Sequence, residues 1–372
     1  MKIAVVANLD KEIKINSKGG SEVFTFLLVD ELLKHDDIES IDVFGVGNDY
    51  FQNPRVIFHS IIPDESKKFV SQNKLLQDLS EARSDFSTQF EACVAAKLYN
   101  SLKEIRVDLL HNNSTSTVFN SLLQSLPFPV LSTLHTNFSS PSTIIPYSLG
   151  LLNGEKNLSF VTISKHQLKF LEENSISLPV KETIYNGIDI SKYPFSEGNE
   201  NTYGFWIGRI SSKHNKGIKE AIQASTNIKR KLIAAIAIDS NDYYINEVKP
   251  ALSEYVEIKE NIHEIHDKNT YYQNAKYFLY PIMWEEPFGL VFLEAMASGT
   301  PVIAFARGAV PELIIDGVTG FIVNPSDDDI RGEYIIKKTG IAGLEEAINR
   351  MCALSPEEYL TMRKNSRKHV ED

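Results

Sequence analysis

Two glutamates, Glu286 and Glu294, stand eight residues apart in the stretch YPIMWEEPFGLVFLEAMASGTPVIAFARGAVPELIIDGVTGFIV, Tyr280 to Val323. On one helix that spacing means roughly 12 Å of rise and about 80° of rotation from two-turn register, so the two carboxylates do not touch. Carboxyl groups that split a glycosidic bond by the retaining hydrolase route sit about 5 Å apart, which disfavours that chemistry. The separation suits an extended ligand held at each end, with an anion between the acids over a helix N-terminus. A nucleoside diphosphate sugar has that layout. Glu286, Pro287, Phe288 and Gly289 are expected to open the helix carrying Leu290, Val291, Leu293 and Met296. The acid would precede it and the proline would take its first position, with backbone N–H groups turned towards the ligand.

Other residues could join such a site. Arg209 and Lys216 flank the loop in GRISSKHNKG, where two cations and a helix start can hold a diphosphate. Gly19 and Gly20 precede a helical pattern and allow backbone to approach a ligand closely, although no GxGxxG fingerprint is present. Polar groups follow three short apolar runs: His111-Asn112-Asn113, His135-Thr136-Asn137 and Ser164-Lys165. His263 and His266 lack a further ligand cluster, and Asp327-Asp328-Asp329 reads as a turn and helix cap, so no metal site is expected. Cys93 and Cys352 lie in separate helical patterns and are read as buried or idle.

The elements that position these residues read as an α/β chain. Short apolar strands at Ile3 to Ala7, Ile41 to Val46, Val107 to Leu110, Val130 to Leu134 and Phe160 to Ile163 alternate with helices, one of them Lys74 to Ile105. A second series contains Tyr203 to Ile207, Leu232 to Ile238, Val256 to Ile258, Tyr277 to Ile282 and Thr300 to Phe305. Such alternation implies parallel βαβ units, whose ligands gather at the strands' C-terminal ends. The 372 residues exceed one ordinary domain, and the polar SEGNENT segment, Ser196 to Thr202, is the expected hinge between residues 1–195 and 202–372. A net charge of −11 without a basic block argues against nucleic acid and gives a membrane surface no electrostatic handle. Met1 leads straight into the first strand and no run approaches the roughly 18 residues of a spanning helix, so a cytoplasmic protein is expected.

Glu286, seven residues and Glu294, with Phe288-Gly289 after the first acid and GTPVIAFARGAVPELIIDGVTGFIV beyond, resemble the signature of retaining GT-B glycosyltransferases of family four, the group 1 glycosyl transferases. The YNGIDISKYPF turn and the Gly-Arg, spacer, Lys-Gly block are similar to further family blocks, the spacer being longer here. The resemblance implies two Rossmann-like domains facing across a cleft, and metal-independent transfer of a hexose from a nucleoside diphosphate sugar, UDP by default, to a hydroxyl acceptor. No cofactor is implied beyond that co-substrate, and the implied acceptor classes are a small molecule, a glycan or a lipid-linked hydroxyl. The donor would meet Gly19, Gly20, Arg209, Lys216, Glu286, Phe288, Gly289, Leu290 and Glu294. Glu286 would hold sugar hydroxyls and Glu294 the ribose. Arg209 and Lys216 would stand in for a divalent ion, and His135 would donate a hydrogen bond to the transferred sugar or to nearby backbone. A further C-terminal helix is implied that would only begin at Asp372. A sugar-nucleotide epimerase and a non-catalytic partner subunit are the alternatives on this architecture. A dehydrogenase fits least, because no glycine-rich fingerprint follows the first strand.

Overall fold

The computed structural model describes every residue except 10–11, 16, 18, 63–79, 137–156, 198–201, 212–214, 239–240, 261 and 263. The chain divides into two compact units, Met1–Asn186 and Gly187–Asp372. Each is built on a parallel sheet.

In the first unit the strands are β1 (Lys2–Val6), β2 (Ser40–Val46), β3 (Val56–Ile62), β4 (Leu109–Asn112), β5 (Val130–Leu134), β6 (Leu158–Thr162) and β7 (Val180–Thr183), in the order β3-β2-β1-β4-β5-β6-β7. Successive side chains of β1 enter different cores. Ala4 and Val6 join Phe44, Leu110 and Phe160, while Ile3, Val5 and Ala7 join Ile41 and Val43. Burial on both faces explains why KIAVV is continuously apolar instead of alternating. The edge strands β3 and β7 are absent from the sequence expectation for the same reason. VIFHSII leaves Ile57 exposed and VKET is mostly polar, so neither carries the apolar run that marks a central strand.

The second unit has β8 (Tyr203–Ile210), β9 (Leu232–Ile238), β10 (Val256–Glu260), β11 (Ala275–Tyr280), β12 (Val302–Phe305) and β13 (Gly320–Val323), in the order β10-β9-β8-β11-β12-β13. Both sheets reverse their strand order beside their first strand, between β1 and β4 and between β8 and β11. Beyond the strands' C-terminal ends such a reversal leaves a crevice, the usual ligand position in open α/β sheets.

Two expectations, the division and the helix start after β11, need correction, and two others are narrowed. The division falls at Asn186 and Gly187, not after residue 195. Residues 187–196 are tied into the second unit: Asn269 donates to the Lys192 carbonyl, Gln273 to that of Pro194 at 2.6 Å, and the Ser196 N–H to that of Ser298 at 3.2 Å. Most of the expected hinge, 198–201, lies outside the described residues. The long helix spans Ser80–Glu104, and residues 74–79 lie outside the described residues too. Cys93 is a free, exposed thiol and Cys352 a free, half-buried one, so of the two readings expected for Cys93, buried or idle, burial does not hold. Finally, the helix after β11 begins at Leu290, with Gly289 as its N-cap at φ 102°. Pro287 therefore precedes it, and Glu286 and Glu294 do not share one helix as the 12 Å estimate assumed.

Candidate functional site

Lys216 and Glu286 meet at the C-terminal ends of β8 and β11. The loop carrying Lys216 is pinned to the chain after β11, because the Met283 N–H donates to the Asn215 carbonyl at 3.0 Å. Gly217, at φ 75°, turns the loop into the helix Ile218–Asn227, and a Cβ there would fall 1.8 Å from the Pro281 carbonyl oxygen. Only glycine tolerates that backbone and that approach. Trp206 Nε1 donates to the Lys216 carbonyl at 3.1 Å from within the sheet. So held, Lys216 Nζ donates to Glu286 Oε2 at 2.5 Å, with the two side chains only 19% and 12% exposed. Trp284 Nε1 reaches the same oxygen at 3.1 Å.

Glu294 is engaged differently. Its Oε1 accepts from the Tyr193 hydroxyl at 3.2 Å and Lys268 Nζ at 3.2 Å, and its Oε2 from the Tyr272 hydroxyl at 3.0 Å and Lys268 at 3.4 Å. Burial first, and the Glu294 charge second, raise both tyrosine hydroxyls well above their ordinary pKa, so they remain donors. A ribose diol would share this carboxylate with Lys268. Arg209, exposed at the end of β8, completes the charged set. The Tyr280 hydroxyl is raised chiefly by burial, then by Glu286, with Arg209 opposing and Glu294 adding to the rise. Arg209, Glu286 and Glu294 thus all act electrostatically on one buried hydroxyl. Phe288 is itself buried, so its contribution and those of Gly289 and Leu290 would come through backbone N–H groups at the helix start.

Sequence reasoning missed the support under Glu286. Glu285 accepts from Arg307 at 3.1 Å, Arg331 at 2.9 Å and the Gly308 N–H at 2.7 Å, while the Ala309 N–H donates to the Glu286 carbonyl at 2.9 Å. Asp329 pairs with Arg307 at 2.8 Å and Arg331 at 2.8 Å, and its hydrogen bond from Arg331 is the leading reason its carboxyl lies below the usual range. It is an ion-pair residue, not a helix cap; the next helix starts at Gly340. The signal for Glu285 was its place beside Glu286, but nothing local announced partners some twenty and forty residues on.

In the first unit His135 follows β5 and Asn113 follows β4. His135 Nε2 lies 3.0 Å from Asn113 Oδ1, an acceptor, so Nε2 carries the proton and Nδ1 keeps its lone pair. The expected donation from this ring therefore goes to a side chain, and Nδ1 remains as an acceptor for a hydroxyl. Burial, then His111, lowers the His135 pKa to about 3, which keeps the ring neutral. Gln167 donates to the carbonyls on both sides of His135, Leu134 at 3.0 Å and Thr136 at 2.9 Å. Asn112 is structural, donating to Asn120 at 3.0 Å and Ser132 at 2.8 Å, and Ser164 caps the helix Lys165–Glu173. Gly19 caps the helix Gly20–Leu32, and the buried Glu22 carboxylate curls back to it. Glu22 was missed, though an acid on the buried Glu22, Thr25, Val29 stripe was a legible signal. Asn137, the spacer residues 212–214 and His263 lie outside the described residues. Among the described ones, no group of three His, Cys, Asp or Glu could hold a metal, and no helix is long and apolar enough to cross a membrane.

Residues 202–337 match the sequence profile described as "Glycosyl transferases group 1", the segment that holds Arg209, Lys216, Glu286 and Glu294. By this segment the chain is similar to the group 1 glycosyl transferases. Over 157 residues it is 31% identical to alpha-maltose-1-phosphate synthase of Mycobacterium tuberculosis, an alignment covering 40% of this chain and 38% of that protein. The chain thus matches well under half the length of this curated relative. Solved structures resemble the chain along its whole length. Sucrose-phosphate synthase from Thermosynechococcus elongatus superposes with a TM-score of 0.72 at 20% identity, over 100% of this chain and 94% of that one. HepE from Anabaena, solved in complex with UDP-glucose, gives 0.69 at 19% identity over 100% and 94%. The fold of the chain is GT-B.

Proposed function

We propose that this chain is a group 1 glycosyl transferase that moves a hexose from a nucleoside diphosphate sugar to a hydroxyl acceptor, with retention at the anomeric carbon and without a metal ion. The observation that carries the reading is the Lys216–Glu286 pair at the β8/β11 reversal, with Arg209 and Glu294 both acting electrostatically on the buried Tyr280 hydroxyl. Lys216 has N–H groups beyond the one given to Glu286, and with Arg209 it supplies positive charge where the leaving diphosphate develops negative charge. Glu286 takes sugar hydroxyls and Glu294 the ribose. The bond between the anomeric carbon and the diphosphate breaks with its electron pair on phosphate. The acceptor oxygen bonds to the same face of that carbon, and its proton passes to the departing phosphate oxygen. His135 stays neutral and accepts a hydroxyl through Nδ1. UDP is the favoured nucleotide, supported by the UDP-glucose held in the Anabaena neighbour.

Proton NMR of the protein with UDP-glucose in EDTA tests this reading. Slow donor turnover, releasing the α-anomer first, is expected. Release of the β-anomer would overturn retention, and turnover that appears only with a divalent ion would overturn metal independence.

A further inference from the structure

Glu286 is held by one oxygen only. Lys216 Nζ and Trp284 Nε1 both donate to Oε2, at 2.5 and 3.1 Å, and no described residue donates to Oε1. The same indole lies under the lysine, with Nζ 4.5 Å from the ring centroid. Trp284 therefore touches both members of the pair, the carboxylate through its N–H and the ammonium through its π-face. A carboxylate rotates readily about its last torsion. Two converging donors on one oxygen suppress that rotation, and they leave the other oxygen without a donor among the described residues.

From this geometry we infer that Trp284 is a positioning residue for the donor sugar: it locks Oε2 of Glu286 so that Oε1 is presented to the sugar hydroxyls. The inference rests on the donor-site reading of Glu286 and adds how that residue is aimed. Binding of the bare nucleoside diphosphate does not use Oε1. Trp284 should therefore govern what the sugar adds to affinity, and not the affinity of the nucleotide. Trp284→Phe keeps an aromatic face under Lys216 and removes the N–H; Trp284→Leu removes both.

Calorimetry separates these contributions with UDP, GDP and ADP and their glucose derivatives as probes, taking the tightest-binding pair for the wild type. Trp284→Phe is expected to leave the diphosphate affinity within twofold and to weaken the diphosphate-glucose about tenfold, with an unchanged melting temperature. On a Glu286→Ala background, Trp284→Phe should cost less than a further twofold, because its effect runs through Glu286. Trp284→Leu should additionally weaken the bare diphosphate, since Lys216 loses its support. Equal losses for the diphosphate and its sugar derivative in Trp284→Phe, or the full tenfold loss without Glu286, would overturn the inference. Failure of every probe to bind the wild type would instead overturn the donor-site reading itself.

Discussion

Glu286 receives two donors on one oxygen, whereas Glu294 receives contacts from Tyr193, Tyr272 and Lys268 over both. Their different surroundings predict different responses to loss of charge. Glu294→Gln places an NH2 group against buried donors and should lower unfolding stability by about 1 to 3 kcal/mol, together with nucleotide affinity. Glu286→Gln should leave stability nearly unchanged and remove mainly what the sugar adds. Urea denaturation alongside calorimetry checks this, and equal destabilisation by both changes would mean the two acids were assigned the wrong surroundings. The identity of both glutamates, Arg209 and Lys216 was legible because each sits in a compact run with a recognisable spacing. The donors that orient them were not. Tyr193 lies some hundred residues before Glu294, and Trp284 looks from sequence like any apolar residue after a strand.

At the scale of elements, the strands that build the middle of each sheet could be read from their unbroken apolar runs, and the edge strands β3 and β7 could not. The helix start after β11 was misplaced for a related reason. Pro287 suits a first helical turn, but Gly289 at φ 102° takes the cap and shifts the helix to Leu290. Gly217 matters most among these turns, since it aims Lys216. Gly217→Ala forces a Cβ into the Pro281 carbonyl at a backbone angle that alanine resists. It should cost about 2 kcal/mol or more of stability, and the loop must move to relieve the clash. Donor affinity should fall with it. Denaturant titration and calorimetry on the same variant provide the check, and full donor affinity would show that the loop does not aim the lysine.

For the whole molecule, two half-buried histidines make stability depend on pH. Burial lowers His111 to about 4, and burial with His111 lowers His135 to about 3, against 6.5 for an ordinary histidine. Between those values the unfolded chain binds more protons than the native one, so stability falls as pH drops through 6.5 and keeps falling towards 4. Urea midpoints at pH 7 and pH 5 should show the loss, and a His111→Asn variant should show a shallower slope. A flat profile in the native chain would contradict the neutral state of the two rings.

The central claim is that the second unit holds a nucleoside diphosphate sugar with its own cations. Isothermal titration in EDTA with UDP-glucose, GDP-mannose and ADP-glucose, each beside its bare diphosphate, tests it most directly. One base should bind without added metal, its affinity should fall about tenfold or more in Lys216→Met through loss of a charge-assisted contact, and the sugar should add affinity that Glu286→Gln removes. No binding by any of them, or binding that appears only when a divalent ion is supplied, would contradict the account.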